Sequence, residues 1–192
     1  MFKKKKKPEF VQSINLEING KLMPQDRGYF YADPLIDALE KAGIGEVDGE
    51  GTLLEEDGSI KLCDIHMMLE EGQEALDKLL LILEALHLPK GSRLIDADGN
   101  EIAEIGVLEG LALWMNGTEL PEEVYKECDI NHVVKEINKL LDGCGELYSH
   151  WAGPSDTALY FYGTSFEEMK AKILPFVNEY PLCQKHRIEQ VA

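Results

Sequence analysis

Apolar positions along this chain follow one succession of periods, and they follow it twice. Between residues 10 and 18, Phe10, Ile14, Leu16 and Ile18 alternate with polar neighbours, the two-residue period of a strand buried on one face. Asp33-Pro34 then reads as a helix start, with Asp as the cap and Pro in the first turn. Leu35, Ile36, Leu39 and Ala42 supply an apolar helical face that ends at Gly43. Strands are predicted over 51–55 and 59–68, joined by Glu56-Asp57-Gly58, whose Asp-Gly step is a hairpin signal. Leu76, Leu79, Leu80, Leu83 and Leu86 mark a second helix over 74–86, and Arg93-Leu94-Ile95 a short closing strand.

The second half repeats the order. A strand is predicted over 107–115, and a helix over 130–141 with Val133, Val134, Ile137, Leu140 and Leu141 on its apolar side. Strands over 146–151 and 157–162 follow, then a helix over 166–177 and a last strand over 187–191. Ser165 caps that helix, Glu167 and Glu168 favour its first turn, and Pro175 is expected to bend it by removing a donor. The punctuation recurs as well: Asn19-Gly20 with Pro24, and Asn116-Gly117 with Pro121, so Pro follows Asn by five residues both times. The order β-α-β-β-α-β is the split arrangement of the ferredoxin-like fold. The expected class is therefore α+β, a tandem duplication of one ferredoxin-like unit, with antiparallel sheets carrying their helices on one face. The boundaries fall at 1–8 for a basic disordered tail, 9–95 for the first repeat and 101–192 for the second.

Composition is compatible with this. At 192 residues and 44% hydrophobic content, the chain can form two units of about 90 residues that cover one another's faces. Charge changes the picture more. The formal net charge is −17, and without Lys3 to Lys7 it is −22. Such a field opposes nucleic acid and anionic membranes and steers a basic partner toward the protein. The lysine run has no interleaved aromatic or arginine, so it reads as a solvated tail and not as a nucleic-acid arm. It resembles the charged start of a signal peptide, but Glu9-Phe10-Val11-Gln12-Ser13 replaces the apolar region that would follow, and no secretory signal is expected. No apolar run approaches the ~18 residues of a membrane span. Four cysteines without close pairing (Cys63, Cys128, Cys144, Cys183) are expected as reduced thiols, which with the rest gives a cytoplasmic location.

Candidate chemistry is sparse. Asp96-Ala97-Asp98-Gly99-Asn100-Glu101 begins like a calcium loop, but an EF-hand needs Gly at its sixth position and Glu at its twelfth, where this chain has Glu101 and Val107. A tight turn between strands is expected there. Cys183-x-x-His186, with Cys144 and His150, could in principle meet as a zinc set, yet the pattern is weak and the first copy has nothing equivalent. Cys63 and His66 lie on one strand with opposite orientations, Cys63 and Ile65 inward and Asp64 and His66 outward, which rules out a local thiol-imidazole dyad. No nucleophile elbow or phosphate-cradling loop is present, and the glycine-rich stretch 43–51 carries Glu46, Asp48 and Glu50, which repel phosphate. It is expected as a solvated turn leading into a strand. No cofactor and no catalytic set is assigned.

The remaining candidates form a binding surface: Glu46, Asp48, Glu50, Asp64 and His66 in the first copy, and Tyr148, His150, Trp151, Tyr160 and Tyr162 in the second. Alternation puts Tyr160 and Tyr162 on one side of their strand and Phe161 on the other, so those tyrosines serve either a partner or packing against the first copy. The functional expectation is a non-enzymatic acidic protein that sequesters a basic protein partner, of the kind a bacterial immunity protein or antitoxin represents. A small-molecule-sensing regulatory module is the alternative, resting on analogy at the level of fold. A hydrolase using sheet-face carboxylates and histidine is a further one.

Overall fold

The computed structural model describes residues 10–192, and the lysine-rich segment expected to be a tail lies outside them. In the first unit, β1 (Gln12–Ile18), β2 (Gly45–Leu54), β3 (Ile60–Leu69), β4 (Ser92–Asp96) and β5 (Glu101–Ile105) form an antiparallel sheet in the order β2-β3-β1-β4-β5. In the second, β6 (Glu109–Asn116), β7 (Gly145–Ala152), β8 (Asp156–Gly163) and β9 (Arg187–Gln190) take the order β7-β8-β6-β9, which repeats the first four positions of the first sheet. Both are the ferredoxin-like strand order, so the chain is a duplicated α+β unit. Its helices are α1 (Pro24–Arg27), α2 (Asp33–Ala42) and α3 (Gln73–Ala85) in the first half. The second half has α4 (Glu122–Glu127), α5 (Ile130–Leu140) and α6 (Phe166–Glu179). Among the described residues no helix is long and apolar enough to cross a membrane.

The strand periods build each core. Ile14, Leu16 and Ile18 join Cys63, Ile65 and Met67 beneath Leu35, Leu39, Leu79 and Leu83 of the helices. In the second unit Leu111, Leu113, Leu159 and Phe161 lie against Val133, Ile137, Met169 and Ile173. Each fully buried aliphatic side chain contributes about 2 kcal/mol by leaving water.

Three elements differ from expectation. The helix does not begin at Asp33: the chain is already helical at Pro24, and a π turn over Gly28–Ala32 leads into α2. A proline ring at position 34 would meet the carbonyl four residues earlier in a regular α-helix, and a widened turn immediately before it gives the room. The acid-and-glycine stretch is strand from Gly45 onward, because pairing along β3 outweighs weak local preference. Glycine is required at its start: a Cβ on Gly45 would stand 2.5 Å from Leu69 Cδ2 and 2.6 Å from the Met68 carbonyl oxygen. Residues 101–105, expected in the second repeat, pair with β4 and widen the first sheet. α6 runs on past Pro175 to Glu179.

The two units meet asymmetrically. The second sheet's face opposite its helices carries Ala112, Ala158, Tyr160 and Tyr162, all buried. The first unit covers it with the loop after β1, α1 and the π turn. Lys21 N–H donates to Tyr162 Oη at 2.7 Å, and Phe30 of the π turn stacks on Tyr148 with ring centroids 3.9 Å apart and planes 5° from parallel. Ser149 Oγ accepts from Met23 N–H at 2.9 Å and donates to Asp26 Oδ2 at 2.6 Å. Trp151 Nε1–H donates to the Gly58 carbonyl of the β2–β3 turn at 3.0 Å. At the junction Glu109 accepts from Lys90 Nζ at 2.5 Å and from the first amide of α6, Phe166 N–H, at 2.6 Å. Gly106, at φ +110°, lets the connecting segment run against the Pro89 carbonyl, where any Cβ would collide.

Three outcomes follow for stability. Ser149→Ala leaves the Met23 amide and Asp26 without their partner and should lower unfolding free energy by about 1–3 kcal/mol in urea titrations. Lys90 first, and then the Phe166 amide, holds Glu109 below its ordinary 4.5. That contribution is present above pH 4.5 and disappears as the carboxyl protonates in acid, so Glu109→Gln should flatten the acid limb of the stability profile. Burial pushes the Tyr160 phenol up to about 12 from 10.0 and raises Tyr162 as well. The folded protein keeps protons that the unfolded chain releases near pH 10, so Tm should fall between pH 10 and 12, and less steeply in Tyr160→Phe.

Candidate functional site

One irregularity occurs at the same place in both units. On β2, Gly45, Glu46 and Val47 pair with Leu69, Met68 and Met67, Asp48 has no partner, and Gly49 pairs with His66. On β7, Gly145, Glu146 and Leu147 pair with Gly163, Tyr162 and Phe161, Tyr148 has no partner, and Ser149 pairs with Tyr160. A bulge adds one residue and re-aims its side chain. In the second unit that residue is Tyr148, turned onto Phe30. In the first it is Asp48, whose Oδ2 lies 3.5 Å from His66 Nδ1.

The corresponding face of the first sheet is not covered by the second unit. It presents Ser13, Asn15 and Glu17 from β1, Asp64, His66 and Met68 from β3, and Glu46 and Asp48 from β2, all half-buried or exposed. The Asp48 side chain is 61% exposed and that of His66 35%. Gly51 sits beneath the Asp64 carboxylate, where a Cβ would strike Oδ1, so the glycine makes room for the acid. Glu17 is bound by Arg93 at 2.5 Å. Among the described residues, neither Glu46 nor Asp64 has a cationic partner within 4.0 Å. Glu50 is a correction: it pairs opposite Ile65, on the helix side, where Arg27 Nε donates to it at 2.9 Å. Arg27 is buried and also donates to the Gly51 carbonyl and Thr52 Oγ1, fastening α1 to β2.

The aromatic half of the expected surface is turned toward the first unit, with Tyr160 and Tyr162 buried and Tyr148 and Trp151 half-buried. Tyr160 and Tyr162 are each 1% exposed, Tyr148 is stacked on Phe30, and Trp151 is held at the Gly58 carbonyl. These contacts are made with the first unit, and they leave Tyr160 and Tyr162 no exposed surface. His150 is exposed but pairs opposite Leu159, on the helix side of its sheet. Cys63 is buried, donates to the Leu22 carbonyl at 3.2 Å, and burial pushes its thiol up, an inert arrangement.

Ser13 was not singled out by sequence, and its only signal is its place on β1 in the same alternation as Asn15. Ser13 Oγ lies 2.8 Å from His66 Nε2, so Ser13, His66 and Asp48 follow one another in the order of a hydrolytic relay. The site is a flat sheet surface, however. The 640 Å³ cleft is elsewhere, lined by His87 and residues of the second unit, and does not include Ser13, His66 or Asp48. What the surface offers is fixed negative charge with one imidazole. Among the described residues no three His, Cys, Asp or Glu side chains are placed to hold a metal ion. Cys144 and Cys183 are buried, the Cys183 thiol pushed up to about 12 by burial, and the His186 ring bonds the Cys183 carbonyl. In the Asp96 loop, the carboxylate accepts the Asp98 and Asn100 amides and closes the β4–β5 turn.

No protein-family model matches this sequence, and no curated protein matches it significantly. Solved structures of similar shape include an unknown protein from Galdieria sulphuraria (10% identity, 93% of this chain and 96% of that one, TM-score 0.30). A proposed monooxygenase from Lactobacillus acidophilus is another (11% identity, 95% and 93%, TM-score 0.33). The regulatory subunit of aspartate kinase from Thermus thermophilus, in its ligand-free form, is a third (14% identity, 89% and 94%, TM-score 0.29). At these scores the likeness carries no functional weight, and the ferredoxin-like assignment stands on strand order.

Proposed function

We propose that the chain is a non-enzymatic, acidic binding protein of the cytoplasm that holds a basic protein partner on the uncovered sheet face of its first unit. It would neutralise that partner as a bacterial immunity protein or antitoxin neutralises a toxin. The observation that carries this reading is the pairing of an open face with concentrated charge. Residues 10–105 contain 21 acidic and seven basic residues, a net of −14, whereas residues 106–192 contain 14 and seven, a net of −7. The more negative unit is the one whose sheet is uncovered, and two of its cations, Arg27 and Arg93, are already engaged with Glu50 and Glu17. Carboxylates fixed on strands need little further ordering to meet a partner, and β2 is an edge strand among the described residues. Free thiols at Cys63, Cys128, Cys144 and Cys183 agree with a reducing compartment.

The test is affinity capture on the tagged protein in low and moderate salt. Proteins of high isoelectric point should be retained at about 50 mM salt and released by about 300 mM, as screening of opposed charges requires. Glu46→Gln/Asp48→Asn/Asp64→Asn should reduce retention by about tenfold, while Glu122→Gln/Glu123→Gln/Glu127→Gln on the second unit should leave it within about twofold. Capture of no cationic protein, or equal loss from both triple variants, would overturn the reading.

A further inference from the structure

We propose that Ser13 is a nucleophilic serine, acylated by uncharged activated esters, with His66 as its general base and Asp48 positioning that base. The reading goes beyond partner binding and does not rest on it: acylation modifies the chain and asks for no turnover. Ser13 Oγ and His66 Nε2 are 2.8 Å apart, and Asp48 Oδ2 lies 3.5 Å from the other ring nitrogen, Nδ1. A carboxylate there favours the ring proton on Nδ1, which leaves the Nε2 lone pair to accept from the Ser13 hydroxyl. Nucleophile, base and orienting acid thus follow one another, and such chains are often looser before a substrate is bound.

Three strands supply the three groups. Ser13 comes from β1 and His66 from β3, and Asp48 is the residue that the β2 bulge leaves unpaired. All three are half-buried or exposed, so a small donor reaches them from solvent. In the second unit the matching positions, read from the strand registers, are Gly110, Tyr160 and Tyr148. The three polar groups therefore occur together on the sheet that faces water and not on the sheet that is covered.

The step balances within the chain and the donor. Ser13 Oγ attacks the ester carbonyl as its proton passes to His66 Nε2, the bond from the carbonyl carbon to the leaving oxygen breaks, and the departing aryloxide takes the proton. The products are an acyl ester at Ser13 and a phenol. Asn15, on the same face of β1 and paired opposite His66, places a side-chain amide beside the reaction, a neutral donor of the kind that stabilises a developing oxyanion. Charge selects the donor: Glu46, Asp48 and Asp64 share the face with the serine, so an anionic ester is repelled and an uncharged one is not.

Incubation of the full chain with p-nitrophenyl acetate, followed by peptide mass mapping, tests the proposal. An acetyl group is expected on Ser13, removed by alkaline hydroxylamine as an ester is and a lysine amide is not. His66→Gln should slow its appearance by about a hundredfold and Asp48→Asn by about tenfold, with Asp48→Glu recovering to within about threefold. A far-UV spectrum checks that each variant folds. His150→Gln, on the other unit, should leave the rate within about twofold. The anionic donor 4-acetoxy-3-nitrobenzoate should label Ser13 about fivefold more slowly at low salt. Absence of an ester at Ser13, an unchanged rate in His66→Gln, or equal labelling by the anionic donor would each overturn the proposal. Ser13→Ala removes the nucleophile and keeps every carboxylate of the face, so labelling and partner capture can fail separately.

Discussion

A sheet whose helices all lie on one side has a second face, and that face must be polar or covered. This constraint governs the molecule. The second unit has an apolar outer face, with Ala112, Ala158, Tyr160 and Tyr162, and the first unit lies across it. The covering is also polar at its seams: the Tyr162 hydroxyl, the Ser149 hydroxyl and the Trp151 indole each meet a backbone or carboxylate group of the first unit. The polar ends of Tyr162 and Trp151 are thus satisfied across the interface, each by a group of the first unit.

The same constraint, met in the opposite way, leaves the first unit free to act. Its outer face is polar and carries Glu46, Asp48, Asp64 and His66, so nothing needs to cover it. Two units of one design have thus divided the work, one supplying adhesion within the chain and the other an external surface. The first unit's covering elements, α1 and the π turn, are tied to its own β2 by Arg27. Contact with the second unit and the geometry of the acidic strand are in this way mechanically linked.

Periodicity was enough to place most strands and to sort their faces. Ile14, Leu16 and Ile18 go inward, Cys63 and Ile65 separate from Asp64 and His66, and Phe161 separates from Tyr160 and Tyr162, all as alternation predicts. It failed where a local irregularity interrupts the period. Strict alternation puts Glu46, Asp48 and Glu50 on one face; the bulge at Asp48 shifts the phase by one and sends Glu50 to the helix side. Gly49 is a residue type that marks bulges, but with Gly45 and Gly51 on the same strand it does not say where the extra residue falls. Likewise Asp33-Pro34 carries every local mark of a helix start, and only the packing of Phe30 and Tyr31 against the second unit accounts for helix ahead of it. Tertiary contact between distant segments decided both, and a sequence pattern has no access to it.

The matched bulges also bear on the duplication. Bulges are kept within families because removing one changes the facing of every residue beyond it. Asp48 and Tyr148 are the unpaired residues at the same step, three after Gly45 and Gly145, so the likeness of the two units reaches below strand order to this irregularity. One and the same slot therefore carries an aromatic closed onto Phe30 in one unit and an exposed carboxylate in the other.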